Sequence, residues 1–325
     1  MSRLRIQQQA ARQAAIFPLS MVGMLALWII DTMQLMGEAG NAQSTIIRFT
    51  PWVALLLQLA ATWLLLELCN RYALIRVRTT FHASIYLWTV SLFPSLVCQP
   101  GILFAGLCLV VSLFYLFNCY GTTETVSSLF HLFLFLSVAS MFVPPFSFYM
   151  PLVLLTLIPW NALSLRSFLA GLVGILLPWI YLTTYAVVCD DYTVIPSFFQ
   201  LLIQDFCVGH STCFTLPRIL CLCFVLCLNL FGIIDFLLYR FHDKLRTRQF
   251  LQFFSWYVLL SLILLLIYPT YVDALCLLLS ISGAIFSSHL FALSSYRSGS
   301  ILFYTLVVIL AVLVVWRICS YFFNL

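Results

Sequence analysis

Asp31 and Glu38 stand seven residues apart just after the first long apolar run of this chain, and Asp190, Asp191, Asp205 and Asp273 flank later runs. A carboxylate beside a bound hydroxyl can take its proton. Two carboxylates together can also hold a divalent cation. These acids are the residues whose type and spacing best suit chemistry. Their plainer reading is topological, since acids are what remains on one side of a membrane once the bases have been drawn to the other. The other reactive groups point away from chemistry. Cys221-Leu222-Cys223 with Cys227 lacks a histidine or a second cysteine pair at ligand spacing, so it is not a zinc pattern. Inside apolar runs a cysteine acts as a small apolar residue. The phosphate loop, the G-x-G-x-x-G turn, the zincin pair and the haem-attachment motif are all missing. No cofactor and no metal site is expected.

The elements that must position these groups are set by composition. The 325 residues are 64% hydrophobic and 8% charged, where a soluble domain carries about 25% charge. Such a chain uses lipid as its solvent. A crossing needs roughly 20 mainly apolar residues, and continuous apolar runs rather than alternation exclude a barrel. The expected fold is all-α, a polytopic transmembrane helical bundle forming a single integral membrane domain over residues 1–325. About eleven spans are read: Ile16–Met36, Trp52–Cys69, Phe81–Val97, Ile102–Asn118, Ser127–Val143, Phe148–Leu163, Phe168–Cys189, Ile219–Tyr239, Leu251–Tyr268, Tyr271–Leu290 and Ile301–Phe322. Pro144 and Pro145 divide the fifth from the sixth, either as a tight hairpin of two spans or as one broken, partly re-entrant element. Pro269 makes a similar join between the ninth and tenth.

Basic residues orient the bundle. With the N-terminus in the cytoplasm, the inner segments hold Arg3, Arg5, Arg12, Arg71, Arg76, Arg78, Arg166, Arg240, Lys244, Arg246, Arg248 and Arg297. The outer segments hold only Arg48, Arg218 and Arg317. Twelve against three favours this arrangement and places the C-terminus outside. Merging the fifth and sixth spans would carry the Arg240–Arg248 cluster outside, so the split keeps both. The N-terminal bases followed by an apolar stretch also resemble a signal peptide, with Gly40-Asn41-Ala42 as a cleavage site. That stretch is longer than a typical signal core and the site lies well beyond it, so the first span is expected to remain. The Arg240–Arg248 run reads as an anchor beside anionic lipid heads, and no nucleic-acid partner is expected.

Ionisable groups at membrane depth are costly and are functional candidates by default. Glu67 precedes Arg71 by one helical turn, a favourable pairing. Asp235 lies about a turn inside the end of the eighth span, within reach of Arg240 or the interface, and His131 and His289 sit near inner ends. Gly171 and Gly174 let a neighbouring helix approach closely, and Pro178 is expected to kink the seventh span. Cys189, Cys207 and Cys213 lie on or beside the longest outer loop, where an oxidising compartment would bridge two of them.

The stretch Ser140-Met141-Phe142-Val143-Pro144-Pro145, and then Leu163 through Trp179 with Arg166, Gly174, Leu177 and Pro178, resembles an uncharacterised family of Bacteroidota inner-membrane proteins of similar length. Leu92-Phe93-Pro94-Ser95-Leu96 is similar to that family too. The resemblance implies a multi-pass protein of the cell inner membrane and supplies no mechanism. The span pattern is more weakly similar to lipid-linked sugar transferases, which place an acidic base or metal ligand in the first outer loop. Asp31 and Glu38 occupy that place and are the catalytic candidates of such an enzyme.

Two functions follow as expectations. One is a cell-envelope protein without chemistry of its own, a non-catalytic subunit or transporter-like. The other is a polyprenyl-linked sugar glycosyltransferase using the outer acids. Expected partners are membrane lipid, with a lipid-linked glycan or other membrane subunits. A lipid-facing groove lined by Asp31, Glu38 and Asp190 would favour the enzyme.

Overall fold

The computed structural model describes residues 15–38, 45–75, 79–122, 125–190, 200, 203, 215–239, 244–293 and 297–323. Among these residues there are eleven α-helices and no strand. In chain order they are α1 (Ile16–Glu38), α2 (Thr45–Arg71), α3 (Phe81–Ser91), α4 (Pro100–Asn118), α5 (Val126–Phe142), α6 (Tyr149–Leu157), α7 (Leu165–Val188), α8 (Leu216–Tyr239), α9 (Leu245–Ile267), α10 (Val272–Leu293) and α11 (Arg297–Phe323). Each expected span corresponds to one helix, and the chain is an all-α helical bundle of membrane-crossing type. Eight helices are long and apolar enough to cross a membrane by length and composition. The three shorter ones are α3 with 11 residues, α5 with 17 and α6 with 9.

Proline explains the shortening. Lacking an N–H, it is tolerated in the first turn of a helix and breaks an interior. Pro94, Pro144 and Pro269 each open a short 3-10 turn, over Pro94–Cys98, Pro144–Phe148 and Pro269–Tyr271. The first extends α3, the second joins α5 to α6, and the third joins α9 to α10. Two helices are therefore present on either side of Pro144 and Pro145. Pro178 behaves differently: it is buried, and α7 runs without interruption from Leu165 to Val188. The start of α7 is closed by a reciprocal cap. The Ser167 amide donates to Ser164 Oγ at 3.1 Å, and the Ser164 amide donates to Ser167 Oγ at 2.8 Å.

Exposure is inverted relative to a water-soluble fold. All of the apolar window of α10 is buried, whereas only 6% of that of α11 and 22% of that of α7 are. Val308, Ile309, Val312 and Val315 of α11 stand exposed. Leucine-like surfaces of this kind match hydrocarbon, and a helix satisfies its backbone polar groups internally there.

The chain forms two compact units. One comprises Met1–Pro100, Phe214–Leu251 and Cys276–Leu325, and the other Gly101–Cys213 and Gln252–Leu275. In the second unit, Thr125 Oγ1 at the start of α5 donates to the Ala162 carbonyl just beyond α6 at 2.8 Å. The two helices therefore form a hairpin that returns to its starting face. Tyr149 and Ser261 share a hydrogen bond of 2.6 Å, and Phe117 packs edge-on to Phe253 and Phe254. Helices α5 and α7 approach closely at the glycines, as small residues permit. A Cβ on Gly174 would lie 2.5 Å from the Phe130 carbonyl oxygen, and one on Gly171 would lie 2.7 Å from the Phe133 ring.

Helix directions in the first unit follow from contacts at both ends. Phe81, which starts α3, lies 6.1 Å from Phe303 near the start of α11 and 6.1 Å from Phe291 at the end of α10. At the opposite face the ends of α1, α3 and α11 and the start of α8 line one cavity. Helices α1, α3 and α11 therefore run one way, and α8 and α10 the other. The start of α1 and the end of α11 lie on opposite faces of this unit.

Candidate functional site

Asp31 lies on the last turns of α1, and Arg317 on the last turns of α11. Because the two helices run in the same direction, residues separated by almost the whole chain meet. Arg317 Nη2 donates to Asp31 Oδ2 in an ion pair whose side chains are only 14% and 7% exposed. Burying either charge alone in an apolar medium is prohibitive, so each requires the other. Arg317 Nη1 is buried and has no hydrogen-bond partner among the described residues.

The pair stands in the wall of a cavity of about 1110 Å³. Leu92, Phe93 and Pro94 from the end of α3, Pro217 and Leu220 from the start of α8, and Val308 and Val312 from α11 supply an apolar lining. Cys221 Sγ donates to the Leu92 carbonyl at 3.7 Å and ties α8 to the end of α3. Gln34, Ser95 and Arg218 add polar groups. Among the described lining residues, the charged ones are Asp31, Arg218 and Arg317, one negative and two positive.

The structure thus places the first catalytic candidate, Asp31, on a cavity, but with one carboxylate oxygen already engaged by a guanidinium. Glu38 ends α1, and its side chain lies outside the described residues. Asp190 is exposed, with a left-handed φ of 52°, and it is not part of the cavity lining. Asp191 and Asp205 lie outside the described residues. Asp273 is buried at the start of α10. Of the described side chains in the groove expected of an enzyme, Asp31 lines the cavity and Asp190 does not. No group of three His, Cys, Asp or Glu able to hold a metal ion occurs among the described residues.

Two further polar places lie at membrane depth in the same unit. Asn229 of α8 is fully buried. Its amide donates to the Val225 and Leu279 carbonyls, both at 2.9 Å, and its Oδ1 accepts from Ser282 Oγ at 2.8 Å. Six residues further on, Asp235 Oδ2 lies 3.8 Å from His289 Nδ1. Asp235 therefore faces α10; of the two neighbours expected from the sequence, Arg240 or the interface, Arg240 lies outside the described residues. Exposed Glu67 and Arg71 remain at the end of α2, with the Arg71 guanidinium 5.9 Å from the Tyr72 ring. Cys189 carries a free thiol, and Cys207 and Cys213 lie outside the described residues.

Sequence reasoning missed Arg317 as a functional residue, although a signal for it existed. Arg218 and Arg317 are two of the three bases that break the positive-inside pattern, and both line the cavity. A base kept on the outer side against that pattern has a local reason to be there.

No family model matches the chain, and neither a curated protein nor a solved structure is similar to it. The many long apolar helices make it a multi-pass integral membrane protein.

Proposed function

We propose that this chain is a protein of the cell inner membrane, with its N-terminus in the cytoplasm and its C-terminus outside, that serves the cell envelope by holding a substrate or a membrane partner rather than by transforming one. It is a transporter-like protein or a non-catalytic subunit, and its partners are membrane lipid, a lipid-linked glycan or other membrane subunits. The observation that carries this reading is the buried Asp31–Arg317 pair in the wall of a large, mainly apolar cavity. An intramembrane ion pair on a cavity marks a binding pathway. The Asp31 oxygen held by Arg317 is not offered to an acceptor hydroxyl, as a general base must be. The resemblance to Bacteroidota inner-membrane proteins and the twelve-to-three split of basic residues support the location and orientation.

A second reading, the polyprenyl-linked sugar glycosyltransferase, is favoured by one observation: the acid at the end of the first span does open on the cavity. Replacement of Asp31 and of Glu38 by alanine, one at a time, separates the two. No transfer of a polyprenyl-linked sugar by the purified full-length protein is expected; transfer that the wild type supports and either variant loses would establish the enzyme. A periplasm-active reporter fused after Leu325 should be active, and one fused after Arg248 should be silent. The reverse result at Leu325 would overturn the orientation.

A further inference from the structure

We infer that the cavity between the ends of α1, α3 and α11 and the start of α8 holds one uncharged long-chain alcohol, its hydroxyl on the Asp31–Arg317 pair and its chain along α11. The inference rests on the reading of this cavity as a holding site and names the class of molecule held. The first observation is what the pair leaves unused. Asp31 Oδ2 is bonded to Arg317 Nη2, whereas Oδ1 accepts no hydrogen bond from a described residue and is not closed off from the surface. It presents an acceptor to the cavity that Asp31 lines. Arg317 Nη1 lies behind that surface, buried and without a partner among the described residues. Oδ1 calls for a donor and Nη1 for an acceptor. A hydroxyl is both at once. Its proton goes to Oδ1, and a turn of the guanidinium brings Nη1 to its oxygen. A buried polar group left unmet is costly, so meeting both favours binding.

The second observation is charge. Asp31 and Arg317 cancel, and Arg218, the third charged residue on the described lining, has a partner of its own. An ionic head would enter uncompensated between apolar walls, a cost that a hydroxyl does not incur. The third observation is the shape of those walls. At about 1110 Å³ the cavity exceeds the roughly 300–1,000 Å³ of ordinary small-molecule pockets. Its lining on α11 reaches from Arg317 back to Val308, roughly 14 Å along the helix axis, or about half the hydrocarbon thickness of a bilayer. Val308 and Val312 are themselves 60% and 57% exposed, so the cavity is open on this side. A chain enters there from hydrocarbon without crossing water. A short polar alcohol would bond to the pair but leave the apolar walls unmatched.

Two sources share this chemistry, an isoprenoid alcohol and a diacylglycerol, and the experiment distinguishes them. Full-length protein purified in detergent is exposed to each in turn, and bound ligand is counted by native mass spectrometry. The comparison ligands are the phosphate ester of the same isoprenoid alcohol, the isoprenoid hydrocarbon of the same length, phosphatidylcholine and glycerol. The isoprenoid alcohol, the diacylglycerol or both should bind, and the tighter of the two names the source. Equal binding of the phosphate ester or of phosphatidylcholine would overturn the inference, since the site would then not select an uncharged head. Equal binding of the hydrocarbon would remove the pair from it, and equal binding of glycerol would remove the walls; either result overturns it.

The decisive comparison is a change of selectivity. Asp31→Asn removes the carboxylate and leaves the guanidinium charge, so the phosphate ester should gain at least about tenfold over the alcohol. Arg317→Gln leaves the carboxylate charge, and an alkylammonium amphiphile should gain over the alcohol by a similar factor. A purely structural pair would lower all binding together and leave the order of ligands unchanged, and that result would overturn the proposal. If either variant fails to fold, Ala311→Trp leaves the pair intact and fills the cavity from α11. It should abolish alcohol binding, and unchanged binding would refute the site. Sugar transfer by the purified protein reports separately on the non-catalytic reading, so failure of alcohol binding alone removes the ligand class and leaves that reading standing.

Discussion

Two of the buried polar clusters of the first unit, at Asn229 and at the Asp31–Arg317 pair, are built differently. At Asn229 the amide donors and the carbonyl oxygen all have partners within 3 Å on α8 and α10. Around them the helices pack closely: a Cβ on Gly283 would lie 2.9 Å from Asn229 Nδ2, and Gly232 presses against Phe286. At Asp31 and Arg317 the charges are paired, yet one guanidinium nitrogen is left over and the walls stand back around about 1110 Å³. A closed network fixes helix register and has nothing to offer a ligand. An ion pair with a spare donor beside a cavity does. Polarity in a membrane bundle therefore says little about function until the remaining hydrogen-bonding capacity has been counted.

The largest effect should come from breaking the ion pair. Arg317→Ala strands a buried carboxylate, and a loss of about 3–5 kcal/mol is expected. Thermal unfolding in detergent would measure it. The double variant Asp31→Asn/Arg317→Gln should be less damaging than the sum of the two single variants, since no charge is then left alone. Strict additivity would mean that the two groups do not interact, and the contrast between the clusters would collapse.

A smaller effect is expected at the closed cluster. Asn229→Ala removes the bonds to the Leu279 carbonyl and from Ser282, at a cost of about 1–3 kcal/mol. Thermal unfolding in detergent would measure it, and an Asn229→Ala protein as stable as wild type would show that the closed network adds nothing. Gly283→Ala should be the mildest, about 1 kcal/mol or slightly more, because Asn229 must shift to admit the methyl group. A Gly283→Ala protein as stable as wild type would show that the packing around Asn229 is looser than the contacts imply.

Much of the architecture was legible from local chemistry. Each of the eleven apolar runs became one helix, because a helix in lipid is specified by its own composition and needs no partner to be recognised. Pro144 and Pro269 ended helices as the missing N–H requires, and Gly171 and Gly174 brought α7 against α5. The length of α6 was less legible. Phe148–Leu163 reads as a span of sixteen residues, but the proline-led 3-10 turn takes Phe148 and α6 closes at Leu157, two residues before Pro159. Likewise α3 gives up its last turns to the segment opened by Pro94.

The site was legible only in part. Asp31 stood out as an acid after an apolar run, which a single sequence can show. Its partner was hidden, since Arg317 is 286 positions away and no local spacing relates them. Asp235 illustrates the same limit on a shorter scale: its nearest base in sequence is Arg240, whereas the helix face carrying it turns toward His289 on α10. Composition and basic-residue asymmetry, read without coordinates, determined the solvent of this protein, its helices and its expected orientation, because each depends on the free energy of a segment in lipid. Only the tertiary structure decided which helices run side by side in the same direction. That choice brings Asp31 to Arg317 beside a cavity and leaves Nη1 without a partner among the described residues, because it depends on contacts between segments that neither composition nor period encodes.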